Sequence, residues 1–127
     1  MSNQFSPSSL VKLHTCHPEL QALMHIVLSK VNITILCGFR GRADQEEAYK
    51  TGHSRAQFGE SPHNQSPSMA VDIAPYPIDW KNIQRFKDLA EVVKTTAKEM
   101  SIEIRWGGDF KSISDYPHFE LAAWSKK

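Results

Sequence analysis

The sequence predicts an α+β fold: one small domain with a mainly antiparallel sheet, packed helices and a metal site at the sheet. Three observations carry this. Apolar stripes recur at helical spacing in two places, four short apolar or β-branched runs read as strands, and the two kinds of element come in mixed order. The 127 residues suffice for one domain with a real core, spanning 1–127, with the informative motifs between about 17 and 121. No repeat, low-complexity tract or Pro/Gly/Ser-rich linker divides them.

The first predicted helix starts at Pro18, a residue type favoured at the first helical position, and Glu19 suits the positive end of the helix dipole. Leu20, Leu23, Met24, Val27 and Leu28 then form one apolar face. His25 lies off the centre of that face and is read, with His14 and His17, as a surface or supporting residue. Residues 31–39 are apolar and β-branched and read as a strand that ends near Gly38 and Gly41. Cys37, inside that run, reads as a small buried hydrophobe. Residues 43–50 form a short helix stopped by Gly52, and the polar, Gly-, Ser- and Pro-containing stretch 51–67 is loop. A second strand covers 69–74, ended by Pro75 and Pro77. Asp79 is placed to cap the next helix, whose buried stripe is Ile83, Phe86, Ala90, Val93, Ala97 and Met100. Residues 102–106 form a strand, Gly107 and Gly108 turn the chain, and 118–121 form the last strand.

Composition removes several function classes. Fifteen Lys and Arg against fourteen Asp and Glu leave a net charge of +1, which supports no nucleic-acid binding through a basic field. No apolar run approaches the roughly 18 residues of a membrane span, so no membrane insertion is expected. The N-terminus has no basic region followed by an apolar stretch, so synthesis without a signal peptide, in the cytoplasm, is expected. Two cysteines, Cys16 and Cys37, are too few and too scattered for a disulfide scaffold or a four-thiolate metal site.

The chemistry-bearing residues cluster near strand ends: His63 in SPHN, Asp72 in AVDI, and Asp115 and His118 in DYPHFE. Two imidazoles and a carboxylate are a common ligand set for catalytic zinc, with a fourth position left for water. Zinc lowers the pKa of that water toward about 7 and polarises a substrate carbonyl, and a nearby carboxylate can serve as general base. Asp115 stands three residues before His118 with Pro117 stiffening the connection, which allows the carboxylate to approach the same centre. His118 and Glu120 are two apart, so a strand presents both on one side and lets Glu120 support the imidazole. A carboxylate buried within AVDIAP needs a partner, and a metal or an arginine such as Arg40 would each serve.

These residues resemble the motifs of the D-alanyl-D-alanine carboxypeptidase and VanY-like zinc peptidases. SPHNQSPSMAVDIAP is similar to their Ser-x-His…Ala-x-Asp motif, and DYPHFEL to their Asp/Glu-x-x-His. CGFRGRADQEEAYKTG resembles their Gly-[Tyr/Phe]-Arg segment followed by a Gln and an aromatic on a short helix, and RWGGDF the stretch before the last ligand. The resemblance implies zinc held by His63, Asp72 and His118, with Asp115 as catalytic acid/base. It also implies that Arg40 binds the substrate carbonyl or carboxylate and stabilises the oxyanion, and that Ser61 orients the first ligand. The sequence departs from the family in one place: the usual His-to-Asp gap is seven residues, and His63 and Asp72 are nine apart. The extra loop, NQSPSM, can bulge without moving either ligand.

Within that family a short chain without a wall-binding module is closest to phage endolysins of the L-alanyl-D-glutamate peptidase type. The implied substrate is a peptidoglycan stem peptide. The enzyme would be a monomer made in the host cytoplasm that reaches the wall from within through a holin-like partner. Alternatives are a D-alanyl-D-alanine carboxypeptidase or dipeptidase, a non-catalytic zinc-binding module of the same fold, and a virion tail component carrying the same site.

Overall fold

The computed structural model describes residues 3–111 and 114–126. Strands β1 (Ile33–Cys37), β2 (Ala70–Pro75), β3 (Ile104–Trp106) and β4 (His118–Leu121) form one sheet in the order β1-β2-β4-β3, with each neighbouring pair antiparallel. Four helices accompany it: α1 (Pro7–Leu13), α2 (Pro18–Lys30), α3 (Arg42–Lys50) and α4 (Ile83–Glu99). The α+β class with an antiparallel sheet is therefore as expected.

Alternation along the central strands separates two faces. Val71, Ile73, Phe119 and Leu121 join Leu20, Leu23, Met24 and Val27 of α2 and Leu89, Ala90 and Val93 of α4 in one buried cluster. Asp72, His118 and Glu120 take the intervening positions and so lie on the opposite side of the sheet. Burying that many Leu, Ile and Val side chains, at roughly 1.5–3 kcal/mol each, makes the core face the stable platform from which the polar face projects.

Local chemistry accounts for the ends of the elements and for where the sequence reading differed. His17 caps α2, its Nδ1 accepting from the Glu19 amide at 3.1 Å, which gives this half-buried residue a supporting role at the helix start. Helix α4 is capped by Asn82, whose Oδ1 accepts from the Arg85 amide at 3.3 Å, and not by Asp79, which accepts from the Lys81 amide within the preceding turn. Capping at Asp79 would have made Trp80 helical, whereas Trp80 stacks on Phe86 at 5.6 Å between centroids. Ile83 is consequently exposed at the start of α4, and Leu89 takes a place in the buried stripe. Strand β1 is shorter than expected because Val31 ends α2.

Helix α1 was not expected at all. Ser6 caps it, with Oγ accepting from the Ser9 amide, and Pro7 occupies its first turn. Its Ser9 Oγ accepts from the Ile35 amide at 3.0 Å, next to the bulge where the β1–β2 register shifts between Ile35 and Cys37. No helix among the described residues is long and apolar enough to cross a membrane.

Candidate metal centre

The sheet register builds half of the centre. Cys37, Asp72 and His118 are aligned across β1, β2 and β4, and directly opposed side chains share one face. Asp72 Oδ1 thereby comes to 3.1 Å from His118 Nδ1. His63 arrives from a different source, a single 3-10 turn at Pro62–Asn64. Pro62 opens that turn, Ser61 Oγ accepts from the His63 amide at 3.2 Å, and Asn64 Oδ1 accepts from the Ser61 amide at 3.2 Å. Ser61 thus acts on the backbone of His63 rather than on its ring.

The long His63–Asp72 loop is tied back to the helices. The Ser68 amide donates to the Thr15 carbonyl at 2.8 Å, and the His17 amide to the Ser68 carbonyl at 2.9 Å. The extra residues therefore lie against the α1–α2 connection, and His63 Nε2 still comes to 3.1 Å from Asp72 Oδ1.

Three donor atoms then face one point. His63 Nε2, Asp72 Oδ1 and His118 Nδ1 are separated by 3.1, 3.1 and 3.2 Å. Ligands about 2.0–2.1 Å from a tetrahedral ion stand about 3.3 Å apart, so the triangle fits zinc with little movement. The tautomers agree. His63 Nδ1 lies 2.7 Å from the Gly38 carbonyl, which only accepts, so Nδ1 carries the proton and Nε2 offers its lone pair. His118 Nε2 donates to Glu120 Oε1 at 2.8 Å, which leaves Nδ1 as the lone-pair nitrogen.

Three electron-rich atoms this close together require a cation between them, and in the metal-free protein protons fill that role. Burial pushes the His63 imidazole down, but the Asp72 carboxylate outweighs it and lifts the pKa to about 10. His118 is likewise pushed down by burial and lifted further, to about 9, by hydrogen bonds to Asp72 and Glu120. Burial would raise Asp72, yet the two imidazoles hold it well below the usual carboxylate range.

Asp115 stands at the open side, its side chain 47 % exposed and Oδ2 4.0 Å from His118 Nδ1. The ligand atoms of Asp72, Asp115 and His118 all lie within 4.8 Å of one another. Burial and the Asp72 charge raise the Asp115 pKa, against the lowering effect of His118, His63 and Arg40. The turn carrying it is set by the segment before it. The Asp115 amide donates to the Gly107 carbonyl at 2.9 Å, and Trp106 Nε1 to the Tyr116 carbonyl at 2.8 Å. A Cβ on residue 107 would collide with the Asp115 carbonyl and with the Cβ of His118, so only glycine admits this approach.

Arg40 lies on the other flank, with Nη2 3.7 Å from Asp72 Oδ2 and Nη1 donating to Gln45 Oε1 at 3.1 Å. Glu120 is buried and lies 3.5 Å from Arg105 through its second oxygen. All seven residues singled out in the sequence, His63, Asp72, His118, Asp115, Arg40, Ser61 and Glu120, therefore meet in one place. An open cleft of about 200 Å3 above them is lined by Arg40, Ser61, His63, Asp115, His118 and Glu120, with Phe110 and the 53–56 segment among its walls.

Sequence reasoning gave three residues no role at the site. Gln45 is fully buried and bonds Arg40, Ser54 Oγ, the Ala56 carbonyl and Asn64. Asn64 accepts from Gly59 and Ser61 and donates to the Arg40 carbonyl and Gln45. The Ser61-to-Asn64 spacing was a legible capping signal, and Gln45 was marked only by the motif resemblance, which gave it no role. Cys37 is only half-buried, with Sγ 3.9 Å from His63 Nδ1 and from Arg40 Nη2. It sits at the site because the bulge turns it toward Asp72, which corrects the expectation of a core residue; it lies behind His63, on the nitrogen that Gly38 already engages.

Comparison with known proteins agrees with this geometry. The family described as phage L-alanyl-D-glutamate peptidase matches residues 1–122. The chain belongs to that family. The L-alanyl-D-glutamate peptidase of Escherichia phage T5 is 31 % identical over 128 residues, covering 95 % of this chain and 90 % of that protein. The peptidoglycan L-alanyl-D-glutamate endopeptidase CwlK of Bacillus subtilis (strain 168) is 35 % identical over 107 residues, 72 % of this chain and 61 % of that protein. The crystal structure of Serratia marcescens L-Ala D-Glu endopeptidase ChiX is similar with a TM-score of 0.83 at 27 % identity, covering 98 % of this chain and 94 % of that one. The family membership sets aside the D-alanyl-D-alanine carboxypeptidase alternative.

Proposed function

We propose that the chain is a zinc-dependent endopeptidase that hydrolyses the L-alanyl-D-glutamyl bond of peptidoglycan stem peptides. The observation that carries the metal is the triangle of His63 Nε2, Asp72 Oδ1 and His118 Nδ1, whose remaining ring N–H groups are already bonded to Gly38 and Glu120. Family membership carries the bond.

Zinc bound there would supply Lewis acidity toward the scissile carbonyl and lower the pKa of water. The protein's own residues do the rest. Asp115, at the solvent side and with its pKa raised, takes a proton from the attacking water and returns it to the departing glutamyl amine. The Arg40 guanidinium, held by Gln45, faces the negative charge that develops on the carbonyl oxygen and also neutralises Asp72 Oδ2. Glu120 and the Gly38 carbonyl fix the two imidazole tautomers. In a lysis setting the protein acts as a monomer that reaches the wall from the cytoplasmic side through a holin-like pore.

Digestion of purified peptidoglycan with end-group analysis tests the reading. New N-terminal D-glutamate, lost with a chelator and regained with zinc, is the expected result. Release of D-alanine alone, or full activity in excess chelator, would overturn it.

A further inference from the structure

A glutamyl residue has two carboxyl groups, and only one can carry the peptide chain onward. A stem peptide cut before D-glutamate therefore presents a second carboxyl group close to the scissile bond, free or amidated. Recognition of the free form calls for a cation on the cleft wall that the catalytic chemistry has not already engaged. Arg40 does not qualify, since Asp72 and Gln45 occupy it.

Arg55 does. It lines the same cleft as His63, Asp115 and His118, is exposed, and makes no hydrogen bond or ion pair with any described residue. Its backbone is anchored on both sides. The buried Gln45 Nε2 donates to Ser54 Oγ at 3.0 Å and to the Ala56 carbonyl at 2.7 Å. Farther along the same wall, Asn64 Oδ1 accepts from the Gly59 amide, and Arg42 lies 4.5 Å over the Phe58 ring. The other ionisable groups on this wall leave the guanidinium free: Glu60 Oε1 accepts from the Gln57 amide at 2.7 Å, and His53 Nδ1 pairs with Thr51 Oγ1 at 2.8 Å. The pinned segment spares the cost of ordering the backbone on binding, and the planar fork of the guanidinium matches a carboxylate.

We infer that Arg55 binds the free carboxyl group of the substrate's glutamyl residue and makes the enzyme prefer the acid over the amide at that position. This rests on the stem-peptide reading above, and it adds a specificity residue to that reading.

The test uses the zinc-loaded full chain and two soluble disaccharide stem peptides that differ only in whether that carboxyl is free or amidated. For Arg55→Gln the acid-over-amide ratio of kcat/KM should fall about tenfold, through KM on the acid peptide, as expected for loss of a hydrogen bond to a charged group. Arg55→Lys should regain part of the ratio. An unchanged ratio while the wild type cleaves both peptides overturns the inference alone, as does a KM that rises equally on both. A wild type that cleaves neither peptide removes the stem-peptide reading and the inference with it.

Discussion

Removing the Glu120 carboxylate tests the centre most directly, because Glu120 is expected to touch the metal only through His118. The His118 Nε2–Glu120 Oε1 bond is 2.8 Å long, and both side chains are under 10 % exposed. In Glu120→Ala the imidazole loses the acceptor that selects its tautomer, and a buried N–H is left without a partner. A hydrogen bond to a charged group contributes about 1.5–3 kcal/mol, and every 1.4 kcal/mol is about tenfold in affinity. Zinc affinity should therefore fall about 10- to 100-fold, the range seen when such supporting partners are removed. Glu120→Gln keeps an oxygen acceptor at the same place and should lose less. Competition against a chromophoric chelator measures the affinity, and circular dichroism checks that both variants remain folded. A folded Glu120→Ala protein that binds zinc within twofold of the wild type would refute the tautomer reasoning.

Asp115→Ala should retain stoichiometric zinc while kcat falls by about 10²–10⁴, the usual contribution of a positioned general base; near-normal turnover would remove Asp115 from the mechanism. Gly107→Ala, which drives a Cβ into the Asp115–His118 turn, should lower both turnover and zinc content, and a variant equal to wild type in both would show that the turn yields freely. In the metal-free protein the folded pKa values of His63 and His118, about 10 and about 9, lie above the unfolded value near 6.5. Their stability contribution is therefore full below about pH 6.5 and is lost as pH rises through 9 to 10. The Tm of chelator-treated protein should fall across that window while the gap to the zinc-loaded protein widens, since zinc must displace those protons. A metal-free Tm that climbs with pH over the same range would contradict the assignment.

Local pattern was enough to place most of the frame. The spacing of Leu20, Leu23, Met24, Val27 and Leu28 marks α2 because a helix buries a face at that period whatever it packs on. The alternation in AVDIAP puts Asp72 opposite Val71 and Ile73 for the same kind of reason. His63, Asp72, Asp115 and His118 stand out because imidazoles and carboxylates beside apolar strands are chemically conspicuous, and their motif resemblance added roles for Arg40 and Ser61. Short-range rules failed where a neighbour distant in sequence decided the outcome. Asp79 was a plausible cap until Trp80 stacked on Phe86, and Cys37 was a core residue until the bulge beside α1 turned it toward Asp72.

The sequence by itself determined which atoms were available as ligands and which faces of α2, β2 and β4 would be apolar, since both follow from residue type and period. Only the tertiary structure decided which nitrogen of each imidazole is offered. His63 and His118 are 55 positions apart, and their tautomers depend on the Gly38 carbonyl and on Glu120 after the strands have paired. The structure also decided that the long His63–Asp72 loop leaves the ligand triangle intact and that Gln45 braces both Arg40 and the cleft wall. The Gly38–His63 and His63–His118 contacts form only when the chain closes on itself, because their partners stand 25 and 55 positions apart.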